Sequence, residues 1–317
     1  MKKRYLAYFT VTLTIAAFAQ MPQDKLPTWA YPGHFSANAG GPEQQNLSGS
    51  KASYTKSQIN DLFVVPDWYP DAHPSMPDVV AHGRKPDVPA CGHCHLPNGQ
   101  GRPENASVAG LPAAYIIAQM ADFKNGLRKG SDPEMLSVTN MVKLSKSTSD
   151  EDVKAAAAYF SSIKLKPWIR VVEVDQVPKT RPEGGMMVVI DGGATEPIGD
   201  RVIEVSENLE KTELRDPTSG FIAYVPKGSL EKGKDLVTTG GNGKTMACTM
   251  CHGPDLKGTG NIPSIAGRSP SQMTRQIIDF QTGARNGSMA PMMKGVVSKL
   301  TLEDTVAITA YLASQAP

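Results

Sequence analysis

The residues best suited to redox or metal chemistry fall in two short runs, Cys91-Gly92-His93-Cys94-His95 and Cys248-Thr249-Met250-Cys251-His252. In each, two thiols three positions apart are followed at once by an imidazole. That order suits covalent attachment of a haem: the thiols form thioethers to the porphyrin vinyl groups and the histidine faces the iron. The chain has four cysteines, and the two runs use all of them. Disulfides within such pairs would close very short, strained loops. One zinc held by two Cys-x-x-Cys pairs usually has them about 15 to 20 residues apart, whereas these lie in separate repeats. The sequence therefore predicts two covalently bound haem c groups, attached at Cys91, Cys94, Cys248 and Cys251, with His95 and His252 as proximal ligands.

The elements that must hold these runs are written twice. A shift of 157 positions carries the first run onto the second; it also carries Gly101 onto Gly258, Ala109-Gly110 onto Ala266-Gly267, Gln119 onto Gln276, Asp122-Phe123 onto Asp279-Phe280 and Arg128 onto Arg285. Further on the shift falls to 152, because the second copy lacks five residues. In the first copy a short helix is expected around 76–82. A second is expected over 111–123, with Pro112 in its first turn and Ile116, Met120 and Phe123 on one face. A third is expected over 149–164, where Ser149-Asp150-Glu151-Asp152 reads as a cap. In the second copy a helix is expected over 230–238. Pro270 after Ser269 opens the central helix, and Thr301-Leu302-Glu303-Asp304 repeats the last cap.

The rest of the chain differs in texture. Lys2, Lys3 and Arg4 precede an apolar stretch that ends in Ala17-Phe18-Ala19, the pattern of a secretory signal peptide over 1–19 cut before Gln20. If uncut, the stretch would be a membrane anchor instead, the one route to a membrane. The 33 basic and 31 acidic side chains give a net charge of +2, and losing the first three basic residues brings it near zero. Bulk charge thus argues against a nucleic-acid or membrane-surface partner. Residues 20–75 are rich in Pro, Gly, Ser and Asn and are expected to be mostly loop, with one short ordered segment within 55–65. Their aromatic clusters, Trp29-Ala30-Tyr31-Pro32 and Pro66-Asp67-Trp68-Tyr69-Pro70, are expected to pin an extended arm by burying large rings. Residues 166–226 contain short branched and aromatic runs at 168–174, 186–190, 201–206 and 221–225, predicting a β-rich insertion of three or four strands.

On the two Cys-x-x-Cys-His runs, the Ala-Gly before each central helix, the paired Asp122-Phe123 and Asp279-Phe280, and the two capped final helices, the chain resembles the class I c-type cytochromes, and its doubling resembles the dihaem c4 type. The implied fold is mainly α: two class I helical domains in tandem, 76–165 and 228–317, separated by a small β-rich insertion, 166–227, and preceded by the 20–75 arm. The long arm and the insertion, in place of a short linker, depart from the c4 pattern. In this family the second axial ligand comes from a methionine before the last helix. Met141 lies eight residues before Ser149 and Met293 eight before Thr301, a shared spacing that selects them over Met135, Met289 and Met292. His34, His73 and His82 are the rival ligands for the first site. The resemblance implies a periplasmic carrier of single electrons between a donor and an acceptor protein, either free or as the cytochrome subunit of a dehydrogenase, and not itself an enzyme. The competing reading is a dihaem redox enzyme, peroxidase-like or sulfur-compound-oxidising.

Overall fold

The computed structural model describes residues 26–33 and 40–317; the expected signal peptide and His34 lie outside them. The arm opens with a small hairpin, β1 (Gln44–Asn46) and β2 (Ser53–Thr55), paired antiparallel. Thr55 then caps α1 (Lys56–Asn60): its side chain accepts from the Gln58 amide while Gln58 accepts from the Thr55 amide. The ordered segment expected within 55–65 is this helix. The hairpin before it was not expected, because strands of three residues are too short to display an alternation. Trp29, Tyr31 and Trp68 are buried, and the Trp68 indole Nε1 donates to the Leu214 carbonyl at 2.8 Å.

The first helical group comprises α2 (Asp78–Ala81), α3 (Cys91–His95), α4 (Ala113–Lys124), α5 (Leu136–Ser147) and α6 (Asp150–Ser162). Pro112 stands at the N-cap of α4 rather than inside its first turn, so the helix begins two residues later than its composition predicts. Ser149 caps α6 by accepting from the Asp152 amide. Helix α5 carries no clear apolar period in the sequence, since Thr139-Asn140, Lys143 and Ser145 through Ser147 dilute it.

The insertion has more strands than the three or four expected: β3 (Ile169–Val174), β4 (Gln176–Pro178), β5 (Thr180–Glu183), β6 (Met186–Val189), β7 (Thr195–Pro197), β8 (Ile203–Ser206) and β9 (Phe221–Pro226), with α7 (Leu209–Glu213) between the last two. One sheet runs β3-β9-β8, with β3 parallel and β8 antiparallel to β9; β4 pairs with β7 and β5 with β6. Inward alternation along β9 buries Phe221, Ala223 and Val225. Burying a ring such as Phe221 contributes about 1.5–3 kcal/mol. Trp168 packs edge-on against it, with ring centroids 5.6 Å apart, and donates Nε1 to Gly267 O at 3.0 Å.

The second helical group comprises α8 (Ser229–Thr239), α9 (Thr249–His252), α10 (Pro270–Thr282), α11 (Ala290–Val297) and α12 (Leu302–Ser314). It meets the first group through a reciprocal contact. Arg128 donates to Gln119 at 2.9 Å and to Gln276 at 2.7 Å, and Arg285 donates to Gln276 at 3.2 Å and to Gln119 at 2.8 Å. Each guanidinium also lies over a phenyl ring of its own group, Phe123 at 4.6 Å and Phe280 at 4.4 Å. Because each arginine bonds its own glutamine and the other's equivalent, the contact has the form of an isologous dimer interface within one chain.

Candidate functional site

The two attachment runs form short helices, α3 and α9, and the chain leaves each by the same turn. Gly101 donates its amide to His95 O at 2.9 Å and Gly258 to His252 O at 2.8 Å. Both glycines have positive φ, 70° and 88°, and a Cβ at either would meet backbone carbonyl oxygens, Asn105 O and Ile262 O, at 2.6 and 2.4 Å. The turn brings a carbonyl back onto each imidazole: His95 Nδ1 lies 2.7 Å from Ala106 O, and His252 Nδ1 lies 2.8 Å from Pro263 O. A carbonyl can only accept, so Nδ1 carries the proton and Nε2 presents its lone pair. Burial lowers the pKa of both histidines, which keeps the rings neutral.

None of the four cysteines is joined in a disulfide. Burial pushes Cys91 up to about 12 and Cys248 up to about 11, and it raises Cys94 as well, so before any attachment these three are protonated thiols. Among the described residues, no cluster of three or more His, Cys, Asp or Glu side chains is placed to hold a metal ion. Two thiols beside an imidazole with a free Nε2, repeated at two positions, fit covalent haem at both. Phe160 of α6 faces the His95 ring edge-on, with centroids 6.1 Å apart.

The methionines sort by environment. Met141 lies half-buried within α5, and Met293 lies half-buried on α11 against the apolar cluster that includes Leu256 and Phe280 and that Cys248 also joins. Both therefore sit on the helix before the last one. Met135 is 1 % exposed, inside the central core with Ile278 and Val306, while Met289 and Met292 are 63 % and 56 % exposed. Of the rival histidines, His82 is exposed. His73 has both ring nitrogens engaged: Nε2 lies 3.1 Å from Asp67 Oδ1, and Nδ1 lies 3.0 Å from Tyr159 Oη and 2.8 Å from Pro74 O.

Several residues around the first site carry no sequence signal. Arg215, from the loop after α7, donates Nη1 to His93 O at 2.9 Å and Nε to Ile59 O at 3.1 Å. Arg102 donates to Thr212 O at 3.2 Å and pairs with Glu104. Asn98 and Gln100 donate to Pro217 O and Ser219 O at 2.7 and 2.9 Å. Arg268 joins the two sites, donating to Ser264 O at 2.8 Å beside Pro263, and to Ser107 O at 2.8 Å beside Ala106. The repeat could have pointed to Ala106 and Pro263, which the 157-residue shift makes equivalent; nothing in it points to Arg215.

The cytochrome c family model matches residues 230–316. Cytochrome c4 of Azotobacter vinelandii is 28 % identical over 232 residues, covering 70 % of this chain and 82 % of that protein. The thiosulfate dehydrogenase electron acceptor of Thiomonas intermedia (strain K12) is 27 % identical over 233 residues, covering 73 % of this chain and 80 % of that protein. Cytochrome c-554(548) of Halomonas halodenitrificans is 32 % identical over 76 residues, 24 % of this chain but 86 % of that protein. With a small cytochrome 32 % identical and matched over 86 % of its length, and c4 proteins matched over about 70 % of this chain, the chain belongs to the class I c-type cytochromes, in their c4-like form.

Proposed function

We propose that this chain is a single-electron carrier holding two haem c groups, one on Cys91, Cys94 and His95 and the other on Cys248, Cys251 and His252, with Met141 and Met293 as the opposite axial ligands. Bound haem supplies an iron that accepts and returns one electron. The protein's own groups do the rest. The Ala106 and Pro263 carbonyls fix each imidazole's tautomer and orientation and increase the basicity of Nε2, and the surrounding apolar side chains exclude water. With a methionine as well as a histidine to hold each iron, no ligand position would be left for peroxide or a sulfur substrate, which favours a carrier over a peroxidase or sulfur-oxidising enzyme. The units are 76–165 and 228–317, divided by the insertion 166–227. The observation that carries this reading is the matched imidazole-to-carbonyl hydrogen bond in the two helices that bear the thiol pairs.

Partners are a donor and an acceptor protein in the periplasm. The relatives that accept electrons from thiosulfate dehydrogenase support a place beside a dehydrogenase. Among the described residues no helix is long and apolar enough to cross a membrane. The test is a pyridine haemochrome count on the purified protein together with the near-red absorption of methionine-ligated ferric haem. Two haems per chain with a full-strength band are expected. One haem, or a high-spin form sensitive to peroxide, would overturn the reading.

A further inference from the structure

The two attachment runs differ in the charge buried beside them. At the first, the Arg102 guanidinium pairs with Glu104 at 2.5 Å, and the Glu104 side chain is wholly enclosed. Arg215 enters the same cluster from the insertion and has its hydrogen bonds to two backbone carbonyls, His93 O and Ile59 O. His93 lies between the two attachment cysteines. Arg102 and Arg215 thus set two guanidiniums against the Glu104 carboxylate, an excess of one positive charge; the buried Arg275 donates to Pro103 O beside them, but it faces Glu204 and Asp279 as well as Glu104. Burial first, then Arg102, pushes Arg215 down to about 10, so it stays charged at neutral pH. At the second run, the positions equivalent to Arg102 and Glu104 are Thr259 and Asn261, both neutral, and the Arg215 loop has no second copy. Arg268 donates to the loops of both sites, so its charge is common to the two. Arg215 is also held where few residues rest, at φ 58°.

Reduction of ferric to ferrous iron removes one positive charge from the site. An uncompensated buried cation favours the reduced form, and weak dielectric screening strengthens the effect. We infer that Arg215, delivered by the insertion, raises the midpoint potential of the haem on Cys91 and Cys94 above that of the haem on Cys248 and Cys251, so that the first electron taken up resides at the first site. This rests on the attachment proposed above, and it gives the insertion a part in setting the order of reduction.

The experiment is a mediated spectroelectrochemical titration of the two-haem protein and three variants, each checked by haemochrome count. In Arg215→Met the more positive midpoint shifts down and the separation between the two steps narrows, while the lower midpoint holds. In Arg215→Lys the separation is largely kept. In Glu104→Gln, which removes the compensating carboxylate, the more positive midpoint shifts up and the separation widens. A purely structural role, in which either change simply opens the site to water, would move both midpoints in the same direction. Equal shifts of one sign in Arg215→Met and Glu104→Gln, or an unmoved separation in both, would overturn the inference. If Arg215→Met does not accumulate, the sign of the Glu104→Gln shift decides alone. A wild-type count below two haems would instead overturn the attachment reading.

Discussion

Met135 and Met141 are six residues apart, and the structure gives them different surroundings. Met135 is enclosed in the central core beside Ile278, whereas Met141 is half-buried on α5. Met135→Ala should lower unfolding stability by about 2–5 kcal/mol through lost transfer energy and the cavity left behind, with the near-red methionine band intact. Met141→Leu nearly conserves volume and should cost under about 1.5 kcal/mol, yet remove about half of that band, since one thioether ligand of two is lost. Urea denaturation and the optical spectrum separate the two effects. A band unchanged by Met141→Leu would remove Met141 from the ligand set.

At the scale of elements, the two final helices are capped differently, and the difference is testable. Ser149 accepts from the Asp152 amide, and Ser149→Ala should cost about 1 kcal/mol. Thr301 and Asp304 form a reciprocal box, and Asp304 is wholly enclosed, with Lys232 at 3.0 Å and Lys244 bonded to its other oxygen. Burial pushes the Asp304 carboxyl up, but the Lys244 contact, the Thr301 amide and Lys232 outweigh it and hold the group well below the usual carboxylate range. Its folded pKa is therefore below its unfolded value of about 3.9. The stabilisation is fully present above that value and is lost as pH falls toward the folded pKa. Urea midpoints measured from pH 6 down to about pH 2 should fall less steeply in Asp304→Asn than in the wild type, with the variant already weaker at neutral pH. Parallel pH profiles would show that Asp304 contributes nothing to acid unfolding.

At the scale of the whole molecule, the reciprocal Arg128, Arg285, Gln119 and Gln276 contact joins two helical groups whose sequences are equivalent. Gln276 accepts from both guanidiniums, so Gln276→Leu leaves a donor unpaired on each and should cost about 1–3 kcal/mol. Gln119→Leu should cost a similar amount, because the contact is near-symmetric. The two effects should not add in the double variant, since both act on the same pair of arginines. Calorimetry of the four proteins checks this, and strict additivity would mean that the two glutamines act independently.

Much of this was legible before any coordinates. The two Cys-x-x-Cys-His runs, the 157-residue repeat and the two final caps are local patterns, written in residue types at short spacing, and the structure bears out the caps at Ser149 and Thr301. Helix α5 escaped because its apolar period is diluted, and the β1–β2 hairpin because its strands are three residues long. Other features are decided only by tertiary structure. The Arg215 side chain reaches the His93 carbonyl across 122 positions, and Trp68 reaches Leu214 across 146. Such contacts leave no period or motif in the chain, since they depend on where a sheet and a left-handed loop residue place a side chain in space. The sequence alone determined the two equivalent Cys-x-x-Cys-His runs and the repeat that carries them. The fold decided which charges are buried beside each attachment, because burial and charge compensation exist only once distant segments have packed.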